Sequence, residues 1–180
     1  LLANCDRLNI RLNSHKTRLL VSDAVIVGFR FCNGRFEIPT ARAESIQNHP
    51  LPTTPRRLVS FTCFCRYFAM MVIRFAQVTL PLHRLAQEYK DKRRLVWNDE
   101  ALKSFADLKE AMANAISIAP IMIGEPIKMS SDASNFALAG LCWQIDPNTK
   151  EIRYLGTASR ILDKREIRWS TIRKEAASVL

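Results

Sequence analysis

Residues 127–141 read IKMSSDASNFALAGL. A short apolar run leads to one carboxylate, Asp132, and small residues follow. A second run, Phe136 to Ile145, is rich in aliphatics and carries Trp143. This pattern predicts a strand, a tight turn and an antiparallel partner strand. Asp132 falls at the end of the first strand. A carboxylate there can form a turn, cap a helix, or meet a metal or a phosphate. The residue alone does not choose among these; what stands in register with it does.

Downstream, a turn at Asp146-Pro147-Asn148 leads to a third predicted strand, Glu151 to Ala158. A polar span, Arg160 to Arg168, ends at Trp169. Ser170 can cap a last helix, whose apolar face is Ile172, Ala176 and Val179, with Glu175 beside it. A carboxylate near a packed face is costly unless a cation relieves it. Asp132 and Glu175 are therefore the candidate pair.

Upstream, Ala24 to Phe36 predicts a hairpin. Val25, Val27, Phe29 and Phe31 alternate with Ile26, Gly28, Arg30 and Cys32, and Asn33-Gly34 is the pair that a two-residue turn with positive φ favours. The return strand is Arg35 to Ile38. A helix end is expected in residues 1–12 from Leu1, Leu2, Cys5, Leu8 and Leu12, with a polar break from Asn13 to Lys16. Pro39-Thr40 opens a short helix with Ala43 and Ile46 inward, and His49-Pro50-Leu51-Pro52 ends it. Thr54 and Pro55 suit the N-cap and first position of the next helix. Leu58, Phe61, Cys65, Phe68 and Val72 follow at steps of 3 and 4. Phe75, Val78, Leu82 and Leu85 extend the stripe, with Pro81 expected to bend or divide it. Arg56, Arg57, Arg66, Arg74 and Arg84 lie in this helical region, where phosphate contact and snorkelling around a core both remain open. KDKRR at 90–94 is a charged linker. Asn98 caps a helix whose face is Leu102, Phe105, Leu108, Met112 and Ile116, with Asp99 and Glu100 complementing its dipole.

The 180 residues suffice for one ordinary domain or two small ones, and the 48% hydrophobic fraction supports a core. Charge is unevenly placed: residues 1–98 hold 16 Lys+Arg and 6 Asp+Glu, a net of +10, whereas residues 99–180 hold 11 of each. A basic first half suggests a polyanionic partner. Five cysteines with no C-x-x-C pair argue against a disulfide scaffold or zinc site and for a reduced, intracellular setting. No run of about 18 uncharged apolar residues indicates a membrane span. The chain starts and stops inside helix-like patterns, so a section of something longer is expected.

SDAS at 131–134, ASR at 158–160 and WSTIRKEAASVL at 169–180, in this order, resemble the RNase H region of long-terminal-repeat retrotransposon polyproteins, gypsy-like or Pao-like. VGFRFCNGRFEIP at 27–39 is similar to the hairpin after that family's polymerase palm. PTTPRRLVSFTCFCRYFAMMVIRFAQVTLPLHRLAQ at 52–87 and VWNDEALKSFADLKEAM at 96–112 match its next two blocks in order. The resemblance implies an α/β (α+β) chain: 1–38, the palm's C-terminal end with a primer-grip-like hairpin; 39–90, a helical thumb-like region; 91–126, a connection helix; and 127–180, a partial RNase H-like mixed sheet with a packed helix.

That family's RNase H domain cleaves the RNA strand of an RNA–DNA hybrid with two divalent ions, usually Mg2+, held by four carboxylates. The resemblance makes Asp132 and Glu175 the first two catalytic and metal-binding residues. It makes Val27, Gly28 and Phe29 a primer grip, and Lys16 the lysine of the palm's last motif, against the plain reading of a solvated loop lysine. Arg56, Arg57 and Arg66 are the expected nucleic-acid contacts. The implied partners are an RNA–DNA hybrid or primer–template and the remainder of a Pol polyprotein, with no membrane. The polymerase's Tyr-x-Asp-Asp motif and the last two RNase H carboxylates are not among these 180 residues, so whether the chain is itself an enzyme stays open. The alternative is a catalytically dead, basic nucleic-acid-binding remnant. Two departures from the family pattern are Phe61-Thr62-Cys63-Phe64-Cys65, which lacks a glycine, and Arg173, which stands where a glutamate would close a capping box with Ser170.

Overall fold

The computed structural model describes residues 2–13, 15–18 and 21–179. Leu1 and Ser14, used above to place the first helix and the break after it, lie outside the described residues. A short helix, α1 (Leu2–Arg7), opens the chain. Three short strands follow: β1 (Asp23–Ile26), β2 (Phe29–Cys32) and β3 (Arg35–Glu37), paired antiparallel in the order β1-β2-β3. Asn33 and Gly34 both take positive φ, 50° and 71°, as a primed two-residue turn requires. The strand expected to run unbroken from Ala24 to Cys32 is instead folded back on itself at Val27-Gly28. Both residues again take positive φ, and Ile26 pairs with Phe29 across the turn.

Four helices build the main core: α2 (Thr40–Gln47), α3 (Pro55–Arg66), α4 (Phe75–Glu88) and α5 (Asp99–Ala113). The Thr54 hydroxyl accepts the Arg57 amide at 3.3 Å, with Pro55 at the first helical position. The Asn98 side-chain oxygen, Oδ1, accepts the Ala101 amide at 2.8 Å. Ile46, Leu58, Phe61, Cys65, Phe68, Val72, Leu82 and Leu108 are buried together in this core. Burial also pushes the Cys65 thiol up to about 12, so it behaves as an inert apolar group.

The helical break is displaced from where the sequence puts it. α4 runs undivided through Pro81, because Phe75 on one side and Leu82 and Leu85 on the other bury in the same core. The chain breaks earlier instead, after Arg66, through a 3-10 turn at Ala69–Met71 and a left-handed Arg74 (φ 58°, ψ 33°) that begins α4. Leu102, expected on the inner face of α5, is 39% exposed, and Ile116 falls beyond the helix end.

The second sheet holds β4 (Lys128–Ala133), β5 (Ala137–Ile145) and β6 (Ile152–Ile161) in sequential order. A mixed sheet is expected from the resemblance; among the described residues all three strands pair antiparallel. β6 runs three residues past its predicted end. A register shift opposite Cys142 and Trp143 carries Gly156 at φ 148°, where an added Cβ would stand 3.7 Å from the Met70 carbonyl. This bulge lets β6 lie close to the 3-10 turn. The Thr157 hydroxyl bridges the Ala69 and Val72 carbonyls at 3.1 and 2.9 Å, and the Ser159 hydroxyl accepts the Ala76 amide at 2.9 Å. A last helix, α6 (Thr171–Val179), packs on β4 and β5. No helix among the described residues is long and apolar enough to cross a membrane.

Gln144 is fully buried in β5. Its amide accepts the Met122 N–H at 2.8 Å and donates to the Met122 and Glu125 carbonyls at 3.0 and 2.8 Å, fixing the loop before β4. Gln144→Leu leaves these backbone groups without partners, and we expect a loss of about 2–4 kcal/mol in urea unfolding. An unchanged midpoint would show that the loop does not depend on this side chain.

Candidate nucleic-acid interface and carboxylate site

The Val27-Gly28 turn is displayed and braced. Val27 is 81% exposed, and its φ of 47° is an outlier for a β-branched residue. The Tyr67 hydroxyl donates to the Val27 carbonyl, and the Tyr67 ring stacks on Phe29 with centroids 5.0 Å apart. A Cβ at Gly28 would meet the Tyr67 ring at 3.3 Å, so the turn needs glycine for both φ and space. Val27, Gly28 and Phe29 are thus brought together on a support, Tyr67, that periodicity did not single out. Its one signal was an aromatic residue just past the end of a capped helix.

Arg56, Arg57 and Arg66 are exposed on α3. Arg56 and Arg57 occupy its first turn, where the helix dipole disfavours cations, so local helix energetics do not account for them. Lys16 is exposed in a separate turn, its amide bonded to the carbonyl of Asn13 at 3.1 Å.

The second-half carboxylates have different settings. Asp132 pairs across the sheet with Ala139, and Ala139 with Ser159, so the three share the face that meets α4. There the Arg74 guanidinium lies 3.0 Å from Asp132 Oδ2, with the two side chains 56% and 46% exposed. Glu175 is exposed on α6. The expected inner face of α6 is not the observed one: Ile172 is 83% exposed and Val179 59%, while Lys174 is 6% exposed. Ser170 caps the helix through the Arg173 amide, and Arg173 stacks over Trp169 at 4.2 Å. That stack gives Arg173 a partner where the glutamate of a capping box would stand, and Lys174 buries its aliphatic stem instead of Ile172. Ala177, Ser178 and Val179 face a cavity of about 580 Å3 whose other wall includes Met129, Leu138, Gly140 and Cys142. On β4 and β5 these four alternate with Asp132 and Ala139 and belong to the opposite face, while Ala139 and Ser159 also reach the cavity's lining.

This arrangement does not fit two magnesium ions. Among the described residues no group of three or more His, Cys, Asp or Glu stands close enough to hold a metal. Magnesium requires several hard oxygen ligands in near-octahedral geometry, and the cation 3.0 Å from Asp132 is a guanidinium with no second carboxylate beside it among the described residues.

Residues 97–180 match the family described as "RNase H-like domain found in reverse transcriptase". The chain is 25% identical over 188 residues to the retrovirus-related Pol polyprotein from transposon opus of Drosophila melanogaster, covering 99% of this chain and 18% of that polyprotein. It is 26% identical to the Gag-Pol polyprotein of woolly monkey sarcoma virus, covering 99% of this chain and 10% of that protein. The foamy viral protease-reverse transcriptase in complex with RNA/DNA hybrid superimposes with a TM-score of 0.77 at 17% identity, covering 92% of this chain and 22% of that one. The fold is therefore that of a reverse transcriptase section ending in an RNase H-like domain. The chain is similar to the Pol polyproteins of transposons and retroviruses, and it spans about a tenth to a fifth of the length of the relatives named here.

The polar span before α6 is a stapled turn. Arg160 donates to both oxygens of Glu166 at 2.6 and 2.7 Å, and the Asp163 amide donates at 2.9 Å. The Arg160 hydrogen bonds, then that amide, bring the Glu166 carboxyl down from 4.5 to about 2. A depressed folded-state value makes the contribution complete above pH 4.5 and lost as pH falls from there toward 2. The protection factor of the Asp163 amide, its exchange relative to the intrinsic rate at each pH, should fall across that window, and Glu166→Gln should abolish that fall. The same acid response in the variant would assign it to another group.

Proposed function

We propose that this chain is the nucleic-acid-holding section of a retroelement reverse transcriptase. In this reading residues 1–38 are the end of the palm, 39–90 a thumb-like unit, 91–126 a connection and 127–180 an RNase H-like unit. The observation that carries it is the exposed Val27-Gly28 turn on Tyr67, joined to a first half with a net charge of +10. The turn offers backbone and an apolar tip to a primer end, and exposed Arg56, Arg57 and Arg66 offer charge to phosphates. Lys16 is assigned to the same polyanion. The foamy viral relative carries an RNA/DNA hybrid, the class of ligand we assign here, and the rest of the polyprotein is the second partner.

Cutting is not assigned to these residues. Two-magnesium hydrolysis needs more oxygen ligands than Asp132 and Glu175 supply. A second reading, RNA hydrolysis by the intact polyprotein, is supported by one observation: both carboxylates are solvent-accessible, on β4 and on the helix that packs against it.

Fluorescence anisotropy with an RNA–DNA hybrid tests the first reading. Affinity should fall steeply with salt, and Arg56→Gln with Arg57→Gln should flatten the log–log slope by about 0.9 per phosphate contact removed. Salt-independent affinity would overturn it. Incubated with magnesium and hybrid, the chain should leave the RNA strand whole; cleavage abolished by Asp132→Asn would assign cutting to these residues themselves.

A further inference from the structure

The Arg74–Asp132 contact joins the helical unit to the second sheet, and its geometry is that of a releasable pair. The backbone on either side of Arg74 is fixed: the Thr157 hydroxyl donates to the Val72 carbonyl, and the Ser159 hydroxyl accepts the Ala76 amide. The guanidinium itself is not fixed in that way. It meets Asp132 Oδ2 at 3.0 Å with more than half of its side-chain surface in water. Arg160 and Glu166 make the contrast, with two hydrogen bonds at 2.6 and 2.7 Å and Glu166 only 12% exposed. Half-exposed pairs are weak, because water screens both charges and two long side chains must be held in one place. A second α4 arginine, Arg84, stacks over Phe136 of the β4–β5 turn at 5.2 Å. α4 thus presents two cations along the end of the sheet that carries Asp132.

We propose that Arg74 is a nucleic-acid phosphate contact held in reserve by Asp132: a docked phosphate takes the guanidinium, and the carboxylate is released to solvent. The exchange is favoured because a phosphate backbone offers dense negative charge and its neutralisation releases counterions, neither of which Asp132 provides. Asp132 acts as an internal competitor, and binding on the helical unit is coupled to unmasking a carboxylate on the RNase H-like unit. This rests on the nucleic-acid-holding reading above.

The test is a two-by-two set in the full chain: wild type, Asp132→Asn, Arg74→Gly, and both together, titrated with an RNA–DNA hybrid over a range of salt. Glycine suits the left-handed backbone at position 74, and Arg74→Gln serves as a second variant. Removing the competitor should raise affinity about two- to fivefold at low salt, the reach of a surface ion pair. The log–log salt slope should stay as in the wild type, because Arg74 meets a phosphate in both complexes, whereas Arg74→Gly and Arg74→Gln should each flatten it by about 0.9, one phosphate contact. In either Arg74 background Asp132→Asn should bring no such gain in affinity. An equal gain with and without Arg74 would mean that only net charge changed, and would overturn the proposal alone. No salt-dependent binding by the wild type would overturn both the proposal and the reading beneath it.

Discussion

Residues 116–119 hold the molecule together through backbone groups. The Ile116 amide donates to the Met71 carbonyl at 2.9 Å. Phe36 and Ile118 exchange two bonds at 2.7 and 2.9 Å, and the Ala119 amide donates to the Tyr154 carbonyl at 2.7 Å. One strap of four residues thus pairs with the helical unit, the first sheet and the second sheet in turn. Buried backbone groups must find partners somewhere, and here each partner lies on a different unit. The bulge at Gly156 and the Thr157 hydroxyl complete the same seam from the other side. Both candidate surfaces depend on that seam, because it sets where the Val27-Gly28 turn stands and brings Arg74 to Asp132.

The strap also explains what could be read from the chain and what could not. Local chemistry was legible. Thr54-Pro55, Asn98 and Asn33-Gly34 each fix a cap or turn through atoms within three residues, and the structure has them where the pattern puts them. The stripe from Leu58 to Val72 was legible as burial but not as helix. Phe68 and Val72 keep their spacing and bury fully even though α3 has already ended, so periodicity concealed the break. Val27 gave the opposite error: a β-branched residue in an alternating run argues for continuous strand. Only a distant tyrosine hydroxyl and the freedom of Gly28 make the turn.

The carboxylate site was legible by position and illegible by neighbour. The strand that carries Asp132 and its antiparallel partner follow from the apolar runs around it. That its nearest cation is an arginine 58 positions earlier follows from none of them. The face of α6 was misassigned for a related reason. A 3-4 apolar spacing says that one face can bury, but the neighbouring surface selects which. Here it takes Lys174, and Ile172 stays in water.

The three shortest arginine–carboxylate pairs divide by what they connect. Asp23 with Arg30 and Glu166 with Arg160 link residues seven and six positions apart, through paired hydrogen bonds that set a hairpin and a turn. Their carboxyls are held below the ordinary range chiefly by those hydrogen bonds, so they are committed to structure. Arg74 and Asp132 span two units whose seam already has its backbone and hydroxyl bonds without them. A pair that the fold does not require is free to exchange partners when a stronger one arrives. The physical distinction between a structural ion pair and a functional one therefore lies here less in distance than in redundancy. At Asp132 the fold is secured by other bonds, and the charge remains available.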